Sequence, residues 1–184
     1  MMNDTQSQDK ERHISSSNQD SQGMLSPDQV LDKLTTVLGA SNVQADPEKN
    51  EHYRMGWRSG GGSALAVLFP QTLLDIWRSL EVCVEGDCII IMQAAKTGLT
   101  EGSTPSGNDY DRPVVVINTL AINQLYLVND GEQVISLSGA TLHQLQSQLN
   151  AVNRAPHSVI GSSTLGASII GGISNNSGGA LVKR

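Results

Sequence analysis

Apolar positions begin to recur only from Leu25 onward. The stretch before it is rich in Ser, Gln, Asn and Asp and has too little apolar surface to fold, so residues 1–25 are expected to form a disordered polar arm. From Ser26 the pattern becomes helical: Val30, Leu31, Leu34, Val37 and Leu38 make one stripe, and Gly39 ends it. Ser26-Pro27-Asp28-Gln29 supplies the start, with Ser as N-cap, Pro at the first helical position and Gln three residues past the cap. Asp46-Pro47-Glu48 signals a second, short helical turn. After the break at Gly60-Gly61-Gly62, strand and helix alternate. Ala64 to Phe69 reads as a buried strand closed by Pro70. Thr72 to Val84 reads as a helix presenting Leu73, Ile76, Trp77 and Leu80 on one face. Strands follow at Cys88 to Met92 and Val114 to Asn118. Leu125 to Val128 and Gln133 to Leu137 read as a strand pair turned at Asn129-Asp130-Gly131, and Thr141 to Leu149 as a helix with Leu142, Leu145 and Leu149 aligned. The pattern is mixed α and β, with no internal repeat.

Two long stretches, 93–112 and 154–179, fit neither strand nor ordinary turn. Long structureless segments are uncommon in compact domains and are usually functional. Composition sharpens this point: of 184 residues 18 are Gly, and most of them cluster. Aromatics make up only 3%, so the core must be aliphatic. The net charge of −6 and the lack of a basic stripe argue against a nucleic-acid partner. Apolar runs are far too short to span a bilayer, and no signal peptide is read at the N-terminus. Cys83 and Cys88 lack the further ligands a zinc site needs, and no metal site is expected. They read as reduced, buried thiols, with a disulfide as the alternative.

The first stretch follows directly on a strand and reads Gln93-Ala94-Ala95-Lys96-Thr97-Gly98-Leu99-Thr100-Glu101-Gly102-Ser103-Thr104-Pro105. Small residues there let backbone N–H groups approach an anion, and successive N–H groups form a concave nest. The alternative is a glycine-rich surface loop without a ligand. In the second stretch Leu165, Ile169, Ile170 and Ile173 have helical spacing, so a short helix with small residues on its other face can lie against a flat ligand. No G-x-G-x-x-G occurs, and Ala167 stands where a P-loop after Gly161 and Gly166 needs Lys.

These two segments carry a resemblance. Residues 92–112 resemble the FAD diphosphate loop of the quinone-dependent D-lactate dehydrogenases, and Pro156-His157-Ser158-Val159-Ile160-Gly161 onward to Gly179 resembles their second flavin loop. The likeness runs on through Tyr53-Arg54, Arg58-Ser59-Gly60, Leu65-Ala66-Val67 and Asp75-Ile76-Trp77-Arg78. It implies an α+β fold, the FAD-binding domain of the vanillyl-alcohol-oxidase (PCMH) type with two α/β subdomains, cut short at its C-terminal end. The expected division is a polar arm at 1–25, a helical lead-in at 26–59 and an incomplete FAD-binding domain at 60–184. The resemblance implies non-covalent FAD, contacted by Ala94, Ala95, Lys96, Thr97, Gly98, Gly102, Ser103, Gly161, Ser168 and Gly178. Lys96 stands where the family tends to carry Asn. That is harmless if only the backbone N–H of residue 96 serves, but removes a contact if the Asn side chain serves. His157, near the second loop, is not expected to be a covalent flavin attachment, and His52 and His143 read as surface residues of helices.

The implied activity is oxidation of D-lactate to pyruvate, with electrons passed to a membrane quinone, ubiquinone or menaquinone. The implied location is the cytoplasmic face of the bacterial inner membrane, held peripherally through a C-terminal region outside this chain. Substrate contacts also belong to parts outside this chain, so no catalytic residue is assigned. The alternatives are a related flavoprotein dehydrogenase of another 2-hydroxy acid and a non-catalytic FAD-binding module.

Overall fold

The structure, a computed structural model, describes residues 24–156 and 166–177. The expected arm, apart from its last two residues, lies outside the described residues, as do His157, Gly161 and Gly178.

Helix α1 (Pro27–Leu38) starts as its sequence predicts: the Ser26 hydroxyl accepts from the Gln29 N–H, and the Gln29 side chain accepts from the Ser26 N–H. A short turn at Ala40–Asn42 leads into β1 (Val43–Gln44), which two residues are too few to announce by alternation. Helix α2 (Pro47–Arg54) is capped by Asp46, whose carboxylate accepts from the Glu48 N–H at 3.0 Å. Strand β2 (Ala66–Leu68) is buried throughout. Helix α3 (Leu73–Glu85) opens on a reciprocal cap between Thr72 and Asp75. Strands β3 (Ile89–Gln93) and β4 (Val114–Asn118) follow on either side of the first long loop.

The four strands form one sheet in the order β1-β2-β4-β3. Strands β2, β4 and β3 are parallel and β1 pairs antiparallel to β2, with Ile89 opposite Val114 and Gln93 opposite Asn118. Helices α1 and α3 close the core, in which Val30, Leu34, Val82 and Cys83 meet Leu68, Val115 and Ile117. The face expected of α3 is corrected here. Its buried residues are Ser79, Val82 and Cys83, while Leu73 and Trp77 are exposed. The residues that can reach both α1 and the sheet lie on the later turns of the helix, so the expected stripe divides: Leu73 and Trp77 face outward, while Leu80 packs against the core.

A second, smaller unit follows. Strands β5 (Leu125–Val128) and β6 (Gln133–Ser136) form an antiparallel hairpin, and Asn129, Asp130 and Gly131 at its turn all take positive φ. Helix α4 (Leu142–Ala151) is capped by Thr141 and Gln144. Helix α5 (Ile169–Ser174) is joined to it where Leu142 N–H donates to Ala167 and Ile169 N–H to Ala140. The two units meet at Gly139, where a Cβ would come within 2.3 Å of the Thr119 carbonyl. No helix among the described residues is long and apolar enough to cross a membrane.

Candidate cofactor site

The site lies at the carboxyl ends of the parallel strands, where ligands bind in open α/β sheets. Gln93 closes β3 and is 2% exposed. Its amide nitrogen donates to the carbonyls of Tyr53 (2.8 Å) and Ser103 (2.7 Å), and its amide oxygen accepts from Asn118 at 3.1 Å. Its backbone carbonyl accepts from the Thr119 N–H at 2.8 Å. One buried side chain thus ties the start of the loop to its end, to α2 and to β4. An apolar replacement would strand two partly buried carbonyls, which is costly. The sequence reading did not single out Gln93; the signal was an amide ending an otherwise apolar strand.

Between its pinned ends the loop makes successive turns, with Glu101 N–H donating to Gly98 and Thr104 N–H to Glu101, each at 3.1 Å. Lys96 and Glu101 both hold left-handed backbone, with φ of 56° and 55°. Gly98 and Gly102 behave differently. Neither takes positive φ, and a Cβ built on either would meet nothing within 4 Å. Neither conformation nor internal packing requires glycine there. What glycine preserves is open space over the backbone, which is what a closely approaching diphosphate needs.

A cleft of about 630 Å³ opens beside the loop. Ala94, Ala95, Lys96, Thr97 and Leu99 line it from the loop, and His52, Tyr53, Trp57 and Arg58 from α2 and the turn after it, with Gln93, Asn118 and Leu120 at the strand ends. Among the described residues no carboxylate lines it, whereas two cations do, so it favours an anion. The Lys96 ammonium donates to the carbonyls of His52 and Met55, the latter at 2.8 Å, at the C-terminal end of α2. Burial lowers its pKa, and nearby Glu101 opposes that shift. Arg54 secures α2 itself, donating to the carbonyls of Gly62 (2.6 Å) and Pro47 (2.9 Å).

Of the expected contact residues, the structure brings Ala94 through Thr97 together on the cleft, with Gly98 next in the chain. Gly102 and Ser103 lie past the turn, outside the lining. Ser168 stands in the second unit, 5% exposed, where its hydroxyl caps α5 by accepting from Gly171 N–H at 3.1 Å. His52 is exposed, as expected, but also lines the cleft. Cys83 and Cys88 are free and buried, and burial pushes the Cys83 thiol up to about 12.

A mostly parallel sheet with an open glycine loop beside an anion-favouring cleft is the arrangement of a dinucleotide-binding domain. The family profile described as "FAD binding domain" matches residues 64–184; the chain belongs to that family, and its cofactor is FAD. The chain is 57% identical over 160 residues to a quinone-dependent D-lactate dehydrogenase of Haemophilus influenzae, covering 87% of this chain and 28% of that protein. It is also 57% identical over 154 residues to the enzyme of the same description from Escherichia coli, covering 84% and 27%. The chain therefore spans little more than a quarter of the length of these curated relatives. Among solved structures, alkyldihydroxyacetonephosphate synthase matches with a TM-score of 0.72 at 12% identity, over 88% of this chain and 31% of that one. That likeness concerns the fold alone, and the fold is the vanillyl-alcohol-oxidase type of α+β FAD-binding domain.

Proposed function

We propose that this chain is the cofactor-holding part of a respiratory flavoenzyme that oxidises D-lactate to pyruvate and passes the electrons to a quinone. The observation that carries the reading is the open loop at Ala94–Gly98, set on a cleft without carboxylates, in a chain 57% identical to two enzymes named for that reaction. When bound, FAD supplies the hydride acceptor for the 2-hydroxy acid and the electron donor for the quinone. This chain's residues do the holding. The N–H groups and small side chains of Ala94 through Gly98 face the diphosphate, with Gly102 and Ser103 following. Ser168, and Gly161 and Gly178 from outside the described residues, extend the contact from the second unit. The Lys96 and Arg58 charges favour the anionic bridge. Attachment at the cytoplasmic face of the inner membrane, through parts of the protein beyond this chain, completes the proposal.

The test is made on the full-length protein. It is expected to purify yellow, and D-lactate should bleach its flavin bands in the absence of oxygen while L-lactate leaves them. A colourless protein that takes up no FAD would overturn the cofactor site. A flavin bleached by L-lactate but not by D-lactate would overturn the substrate.

A further inference from the structure

Trp57 is 76% exposed, and an exposed large aromatic is an observation that asks for a cause. Its position is nonetheless fixed. The indole N–H donates to the Lys96 carbonyl at 3.3 Å. The two residues after it are clamped, because the N–H groups of Arg58 and Ser59 and the Ser59 hydroxyl all donate to the Glu101 carboxylate. Gly56 N–H donates to the Gly60 carbonyl at 2.8 Å and closes the turn. The carboxylate sits so close that a Cβ on Gly56 would come within 2.5 Å of it. Glu101 makes this clamp from left-handed backbone, which few side chains adopt. A free carboxylate in a diphosphate loop would repel its ligand. Here three donors engage the charge and turn it into a latch.

The latch holds one wall of the cleft. Trp57 lines that wall, beside the loop residues Ala94 through Thr97 that line the same cleft. FAD carries a planar ring system on each side of its diphosphate, and aromatic rings withdrawn from water pack on one another. Resting on the FAD reading of this cleft, we infer that Trp57 is a cofactor-binding residue whose indole packs on a ring of FAD. Glu101 is its positioning residue, latching the 56–60 turn to the phosphate loop.

The test uses full-length apoprotein titrated with FAD, following flavin fluorescence, and the 19F signals of 5-fluorotryptophan. The Trp57 signal is assigned by its absence from Trp57→Phe. FAD is expected to shift that signal. Trp57→Leu should raise the FAD Kd about tenfold, while Trp57→Phe, which keeps a ring, restores most of the affinity. Glu101→Ala should weaken binding comparably, and Trp57→Leu/Glu101→Ala should be little worse than Trp57→Leu alone, because one residue acts through the other. Wild-type protein that binds FAD with an unmoved Trp57 signal, and a Trp57→Leu variant of unchanged affinity, would overturn the inference while leaving the FAD site standing. Fully additive losses would overturn the latch. Absence of FAD binding in the wild type would remove the FAD reading and this inference with it.

Discussion

The two units of the chain use the same local devices and reach different degrees of enclosure. In the first, α1 and α3 cover the sheet, and Leu34, Leu68, Val115 and Ile117 are wholly buried. In the second, Leu125, Ala140, Leu142, Ala167 and Ile169 make a small cluster, while Tyr126 and Ile135 on the hairpin remain 56% and 57% exposed. A two-stranded sheet is marginal by itself. Good caps and a well-formed turn do not make a unit self-sufficient when one apolar face lacks cover among the described residues. The loop with the open glycines sits on the well-enclosed unit, and Ser168 on the lightly packed one.

The sharpest way to break this contrast is to truncate one side chain from each unit. Ile117→Ala should cost about 2–5 kcal/mol, because it empties a packed core. Ile135→Ala should cost less than about 1 kcal/mol. Urea unfolding of the two variants measures both, and equal costs would abolish the distinction.

Cys83 reports on the same core through pH. Its thiol ionises only near 12 in the folded chain, against an ordinary value of 9.0, because burial disfavours the thiolate. The folded state thus keeps a proton that the unfolded state gives up, and the stability it contributes, fully present below pH 9, is lost as pH rises toward 12. The loss should reach about 2 kcal/mol by roughly pH 10.5. Comparing the pH dependence of unfolding in wild type and Cys83→Ala isolates it; identical slopes above pH 9 would mean the thiol is not enclosed.

Much of the fold was legible because its signals are local. The reciprocal cap at Ser26 and Gln29, the run Val114 to Asn118 and the left-handed turn at Asn129 to Gly131 act within a few residues, and each formed where the sequence placed it. The stripe of α3 was read only in part, because periodicity defines a face but not how much of it meets a neighbour. That depends on α1, which lies far earlier in the chain. The cofactor site divides in the same way. Loop glycines announce themselves in sequence, whereas Gln93 and Glu101 matter through partners at Tyr53, Asn118, Arg58 and Ser59 that only the fold brings near.

Gly98 separates binding from stability. Its φ suits any residue and its surroundings are empty, so Gly98→Val should change unfolding by less than about 0.5 kcal/mol. The same substitution fills the space over the loop, and the FAD Kd of the full-length protein should rise about tenfold or more, about 1.4 kcal/mol. Loss of stability with unchanged FAD affinity would show that the open space serves the fold and not a ligand.

The smallest expected effect belongs to Lys96, and it answers the question its sequence raised. The side chain reaches the carbonyls of His52 and Met55, so its ammonium caps the negative end of α2 and braces the wall that carries Trp57. Lys96→Ala removes that cap, a loss of about 0.5–1 kcal/mol in unfolding, while the cost of left-handed backbone stays the same because Lys and Ala both carry a β-carbon. Lys96→Asn also loses the long reach, but Asn tolerates left-handed backbone better, so it should fall between wild type and Ala. FAD affinity should drop less than threefold in both, because the backbone N–H of residue 96 survives either change. A tenfold loss of FAD in both variants would mean that the ammonium itself holds the diphosphate, and that its place against α2 is secondary.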